Sequence, residues 1–192
     1  DILRKDWFGK DEGTIERYDG QRSTSYGLAD GFNGQFGFSN NPASSAPDGT
    51  EWFITAGGGA FRYDGKGFTS MTDKNAAYVI HCEPDGTVWL GSNWSGLTKF
   101  DGRKITPLPR ADQELAPQSC RSICRDRRGV LWFGSAAAAV YRYDGRTWTS
   151  LNSRDGLPNG ADGGVQGIAE AIDGSVWFGT VAAGLVRYRY NT

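Results

Sequence analysis

The residues able to do chemistry in this chain are few and scattered. There is one histidine, His81, and there are three cysteines, Cys82, Cys120 and Cys124. A histidine-rich metal site, or an acid–base relay built on two histidines, is therefore excluded. Three cysteines do not make a disulfide framework. Cys120 and Cys124 stand four apart in "QSCRSICRD", which reads as a strand. There they share a face but lie about 13 Å apart at ~3.3 Å per residue, beyond the roughly 7 Å that a disulfide spans. They read as buried or half-buried free thiols. No Gly-x-Ser-x-Gly elbow, P-loop or dinucleotide fingerprint is present. The glycine-rich "TAGGGAF" (55–61) joins two strands and no helix follows it.

One short stretch stands apart. In "SNWSG" (92–96), Trp94 interrupts a loop whose counterparts are made of small residues, and Asn93 and Ser95 flank it. An exposed aromatic beside amides and hydroxyls can stack on a sugar ring and bind its hydroxyls. The alternative is that Trp94 folds over a neighbouring loop as packing.

The elements that must hold these residues are announced by a repeat. Trp7, Trp52, Trp89, Trp132 and Trp177 recur at gaps of 45, 37, 43 and 45 residues. Ten residues after each stands Arg17, Arg62, Lys99, Arg142 or Arg187, followed by Tyr18, Tyr63, Phe100, Tyr143 or Tyr188. Asp-Gly follows in the first four units. Each unit divides into runs of β-formers such as "TVWLGS" (87–92) and "AVYRYDG" (139–145), separated by turn residues. No helical periodicity extends over a useful length. Four-stranded units of this length, repeated, define an all-β propeller. The reading is one domain over 1–192, with about five blades of four strands A to D.

The first unit has no room for strand A and the last has no strand D, which predicts 3 + 4 + 4 + 4 + 3 strands from the runs in the sequence. Three arrangements follow: a five-bladed ring, which is preferred; a segment of a larger propeller; or two chains that complete each other through open blade edges. The Asp-Gly pairs between A and B and between C and D read as type I′ turns on one uniform rim. The B–C and D–A loops vary, and they share the opposite rim. A constant frame with one variable rim is how scaffolds carry binding sites. The candidate ligand-binding residues on that rim are Trp94, Asn93, Asp11, Glu12, Asn33, Gln35, Asp112, Gln118, Asp162 and Gln166.

Other chemistries are set aside in turn. His81 falls on an innermost strand, at a position held by Cys124 and Ala169 in other units, and reads as a half-buried strand residue. Calcium wants clustered oxygen ligands, whereas the Asp-Gly carboxylates are spread one per turn. Lys+Arg is 21 and Asp+Glu 22, a net charge of -1, so nothing favours nucleic acid. The repeated basic residues read as a structural position. No apolar run approaches the ~20 residues that span a bilayer. No catalytic residue, metal or cofactor is expected, because propeller lyases and lactonases need metal ligands or a histidine-based acid–base pair at the channel.

The units resemble the two-component regulator propeller repeat. The fullest stretch is "DGLPNGADGGVQGIAEAIDGSVWFGTVAAGLVRY" (155–188). The resemblance implies a propeller of bacterial sensor proteins, placed outside the cytoplasmic membrane and often binding carbohydrate. This sequence departs from the pattern at Ile54, where a glycine is expected after Trp-Phe, and in its final "RYRYNT". The expectation is a non-catalytic module that recognises a small molecule or glycan on the variable rim. The alternative is a protein-interaction or assembly scaffold.

Overall fold

The computed structural model describes residues 6–10, 13–34, 43–57, 59–72, 77–137, 139–157, 164–181 and 183–190. They form five antiparallel sheets, each a meander of neighbouring strands. The first holds β1 (Asp6–Lys10), β2 (Thr14–Tyr18) and β3 (Ser23–Tyr26). The second holds β4 (Ala43–Ser45), β5 (Glu51–Ile54), β6 (Ala60–Tyr63) and β7 (Phe68–Ser70). The third holds β8 (Val79–Cys82), β9 (Val88–Gly91), β10 (Leu97–Phe100) and β11 (Ile105–Pro107). The fourth holds β12 (Ser122–Arg125), β13 (Leu131–Gly134), β14 (Val140–Tyr143) and β15 (Trp148–Leu151). The fifth holds β16 (Val165–Glu170), β17 (Val176–Thr180) and β18 (Gly184–Tyr188). The strand numbers are thus 3, 4, 4, 4 and 3, as the repeat predicts. The fold is an all-β propeller type.

The ten-residue spacing has a direct cause. Each repeated Trp is the cross-strand partner of its basic residue: Trp7 of Arg17, Trp52 of Arg62, Trp89 of Lys99, Trp132 of Arg142 and Trp177 of Arg187. The cation sits over the indole in four of the five pairs, closest for Lys99 at 4.3 Å from the Trp89 ring centre. The next aromatic points to the other face of its strand. In three units its hydroxyl closes the following turn: Tyr18, Tyr63 and Tyr143 donate to the carbonyls of Gly20, Gly65 and Gly145.

Packing follows from these two faces. One face of each sheet carries the Trp and the other carries the residue after it. Four hydrophobic clusters form, one at each junction between consecutive sheets. Trp52, Trp89 and Trp132 are 1%, 2% and 0% exposed within them. Truncating such a side chain to alanine costs about 3–5 kcal/mol, so these tryptophans are frame. The glycine after Trp-Phe gives the next sheet room. A Cβ on Gly134 would lie 2.6 Å from the Val165 carbonyl and 2.2 Å from Ser122 Oγ.

The turns differ from the type I′ expectation. Between A and B the loop is three residues long, as in Pro47-Asp48-Gly49. Ala46 N–H donates to the Thr50 carbonyl, Gly49 N–H donates to the Ala46 carbonyl, and Gly49 has φ 84°. Only the glycine needs positive φ, and the Asp48 carboxylate accepts from Thr50 N–H at 2.9 Å. This is the three-residue hairpin that ends in a left-handed glycine. Between C and D the aspartate side chain again does the closing. Asp144 Oδ1, for example, accepts from the Arg146 and Thr147 amides at 2.9 and 2.8 Å.

The D–A connection between the third and fourth sheets also contains α1, Arg110–Leu115, where the sequence suggested only loop. Cys120 precedes β12 instead of lying on it with Cys124, and all three cysteines are free thiols. Burial raises all three thiol pKa values, that of Cys82 to about 11.

Candidate functional site

The corner where the third sheet meets the fourth gathers four of the expected rim residues. The B–C loop leaves β9 at Ser92 and returns at Gly96, whose carbonyl accepts from Ser92 N–H at 2.9 Å. The Ser92 hydroxyl is buried and accepts from the amides of Trp94 and Ser95 at 3.2 and 3.3 Å. That pins the backbone while the Trp94 side chain stays 87% exposed. Trp94 therefore does not fold over a neighbour as packing. Asn93 is half-buried, and its Oδ1 accepts from Arg121 Nε at 3.3 Å. The loop is tied below by Cys120 N–H, which donates to the Ser92 carbonyl at 2.7 Å.

Beside this loop lies a cleft of about 250 Å³, with Ser95, Gly96 and Leu97 on one side and Pro107, Leu108, Gln113 and Ala116–Gln118 on the other. Its far wall is shaped by α1 and held by side-chain amides. Gln113 Nε2 donates to the Leu108 carbonyl, and Gln118 Nε2 donates to the Gln113 carbonyl, both at 2.6 Å. Gly96 has φ 70°, and a Cβ there would stand 3.1 Å from the Pro117 carbonyl, so only glycine lets the two loops approach this closely. The cleft joins apolar walls to the Gln113 and Gln118 amides and the Ser95 hydroxyl, and Trp94 precedes Ser95 on the loop that forms one side. Such a surface suits a ligand with both apolar faces and hydroxyls.

Asp112 lies half-buried on α1. Its carboxylate is one of the charges that raise the Tyr143 phenol, after burial itself. Asn33 is exposed between the first and second sheets, and Gln166 is half-buried within β16 on the fifth sheet. These two belong to other blades than Trp94. Asp11, Glu12, Gln35 and Asp162 lie outside the described residues. Gln113, Leu108 and Pro117 were not among the expected site residues. A sequence signal for them existed: Pro109 ahead of "RADQEL" is a helix start.

His81 is engaged elsewhere. Its Nε2 lies 2.9 Å from Glu83 Oε1, and Glu83 Oε2 lies 3.4 Å from Arg125 Nε on the next sheet. The group ties the third sheet to the fourth through Glu83. Among the described residues, no group of three or more His, Cys, Asp or Glu is placed to hold a metal ion. No helix of the described residues is long and apolar enough to cross a membrane.

Residues 114–137 match the family described as two component regulator propeller. The resemblance read from the repeat is thus shown for the unit that contains Trp132 and the wall residues Ala116, Pro117 and Gln118. No curated protein matches the chain by sequence. Among solved structures, it is similar to the extracellular domain of the hybrid two component system BT3049 from B. thetaiotaomicron, with 18% identity and a TM-score of 0.58 over 96% of this chain and 27% of that one. YCF48 from Cyanidioschyzon merolae is similar at 15% identity, TM-score 0.63, over 98% and 64%. PorZ, a surface component of the type-IX secretion system of Porphyromonas gingivalis, is similar at 16% identity, TM-score 0.62, over 95% and 30%. The chain spans less than two thirds of each of these proteins. At such identities the likeness is one of fold.

Proposed function

We propose that the chain is the binding part of a sensor-type propeller, and that it recognises a small molecule or glycan at the cleft between the Trp94 loop and α1. One observation carries this reading: a tryptophan 87% exposed on a backbone pinned by a buried serine hydroxyl. Exposing an indole forfeits burial that folding would otherwise favour, so its orientation calls for a use. The site is read as non-catalytic, because its lining is two side-chain amides, one hydroxyl and apolar walls, suited to orientation and hydrogen bonding. The extracellular setting of the BT3049 domain and the matched repeat support an extracytoplasmic location. The second reading is a protein-interaction scaffold that uses the same rim.

A glycan array separates the two. The wild type is expected to bind a restricted set of glycans. Trp94→Ala should weaken that binding by about tenfold or more, the equivalent of roughly 1.4 kcal/mol, with the melting temperature unchanged. A wild type that binds no glycan or other small ligand, or a variant that binds as well as the wild type, contradicts the proposal.

A further inference from the structure

The cleft beside the Trp94 loop has no ionisable side chain in its lining. Its polar side chains are Ser95, Gln113 and Gln118, and the rest is proline, leucine, alanine and glycine. Two clefts on the opposite rim are different. The one between the second and third sheets holds Asp48, Arg62 and Asp101, and the one between the third and fourth holds Glu83, Lys99 and Arg125. The charged residues of α1, Arg110, Asp112 and Glu114, stay out of the Trp94 cleft's lining.

The two amides are fixed in orientation by the backbone. The Leu108 and Gln113 carbonyls have no proton to give, so the side-chain atom 2.6 Å from each must be the amide nitrogen. The Gln113 carbonyl needs that donor. Its helical partner would be the amide of residue 117, and Pro117 has no N–H. Gln118 thus caps α1 and is held while doing so. Each amide keeps its Oε1 and one N–H, which have no other partner among the described residues. The Ser95 hydroxyl adds a group that can both donate and accept.

We infer that this cleft selects an uncharged saccharide and rejects anionic glycans such as uronates and sulfated sugars. The inference rests on the reading that the Trp94 corner is the ligand site. Sugar hydroxyls match these amides, because each hydroxyl both donates and accepts. A carboxylate or sulfate entering the cleft sheds water without meeting a cation, and it faces the two amide oxygens. That desolvation costs more than a neutral amide N–H returns. An ammonium group likewise finds no carboxylate in the lining.

Matched pairs of glycans on an array test it: a neutral hexose against its uronic acid, and a free hydroxyl against its sulfate ester. The wild type should bind the neutral member about tenfold or more tightly than its anionic counterpart. In titration calorimetry with the tightest neutral glycan, Kd should stay within about twofold between about 50 and about 500 mM sodium chloride, since no ion pair forms. Gln118→Lys keeps a donor for the Gln113 carbonyl and brings a positive charge to the cleft. With folding unchanged by circular dichroism, it should narrow or reverse the preference for the neutral member. A wild type whose binding Trp94→Ala abolishes, yet which takes the anionic member equally well or better, overturns the inference and leaves the site standing. A folded Gln118→Lys with the wild-type preference also overturns it. A wild type that binds no glycan, or whose binding survives Trp94→Ala, removes the site itself and this inference with it.

Discussion

Asp126 shows how much a single side chain can carry in this frame, and why it was hidden. In the fourth unit the A–B turn reads Asp126-Arg127-Arg128-Gly129, and the sequence alone marks it as the exception to Asp-Gly. The acid has moved two places back instead of vanishing. It is 4% exposed and accepts from Arg128 N–H, Val130 N–H and Trp132 Nε1 at 3.0, 2.9 and 2.8 Å. It also accepts from the Tyr190 hydroxyl, which ties the segment after β18 back to the fourth sheet. Burial first, and then this bond, push the Tyr190 phenol up. The irregular "RYRY" is therefore a clasp. Asp126→Ala strands a buried indole N–H and two turn amides, and should cost about 3 kcal/mol in urea unfolding. Asp126→Asn, which keeps an acceptor, should cost clearly less. Equal losses for the two, or none, would show that the network does not hold the turn.

At the level of elements, the strands were legible and the connections were not. A Trp and a basic residue ten apart define a hairpin register, because cross-strand partners must share a face. The helix α1 was illegible to periodicity, since six residues complete fewer than two turns. The turns were placed correctly but typed wrongly, because the aspartate acts through its carboxylate and not through a positive φ. That distinction has a consequence in acid. Bonds from backbone amides hold Asp19, Asp64, Asp101 and Asp144 below the ordinary carboxylate range. Bonds from Ser175 hold Asp173 down to about 2. A depressed carboxylate adds stability that is present above its unfolded pKa, near 3.9, and is lost as pH falls toward the folded value. The melting temperature should be flat through neutral pH and fall below about pH 4. Replacing the four C–D aspartates by asparagine should lower it at neutral pH and flatten the acid slope. An unchanged acid slope in that variant would assign the acid sensitivity to other groups.

For the whole molecule, a repeat specifies the blades because each unit must bury its Trp on its neighbour. The units differ in their B–C and D–A loops, and the proposed site lies there. Trp94 was visible as a departure from loops of small residues, and the structure leaves its side chain exposed. The cleft was not visible, because its walls come from Leu97, Leu108 and Pro117, apolar residues that look like core in one dimension. Asn33 and Gln166 look no different in sequence from Asn93 and Gln118, but the fold sets them on other sheets. Recognition at the Trp94 corner is the proposal on which the rest depends. The most direct measurement is a two-dimensional NMR titration of the chain with a glycan selected from the array, following indole and side-chain amide protons. The Trp94 indole and the Asn93, Gln113 and Gln118 amides are expected to shift together, while the buried indoles of Trp52, Trp89 and Trp132 stay in place. Saturable binding whose shifts fall on the Asp-Gly turn rim, with the Trp94 indole unmoved, would contradict it.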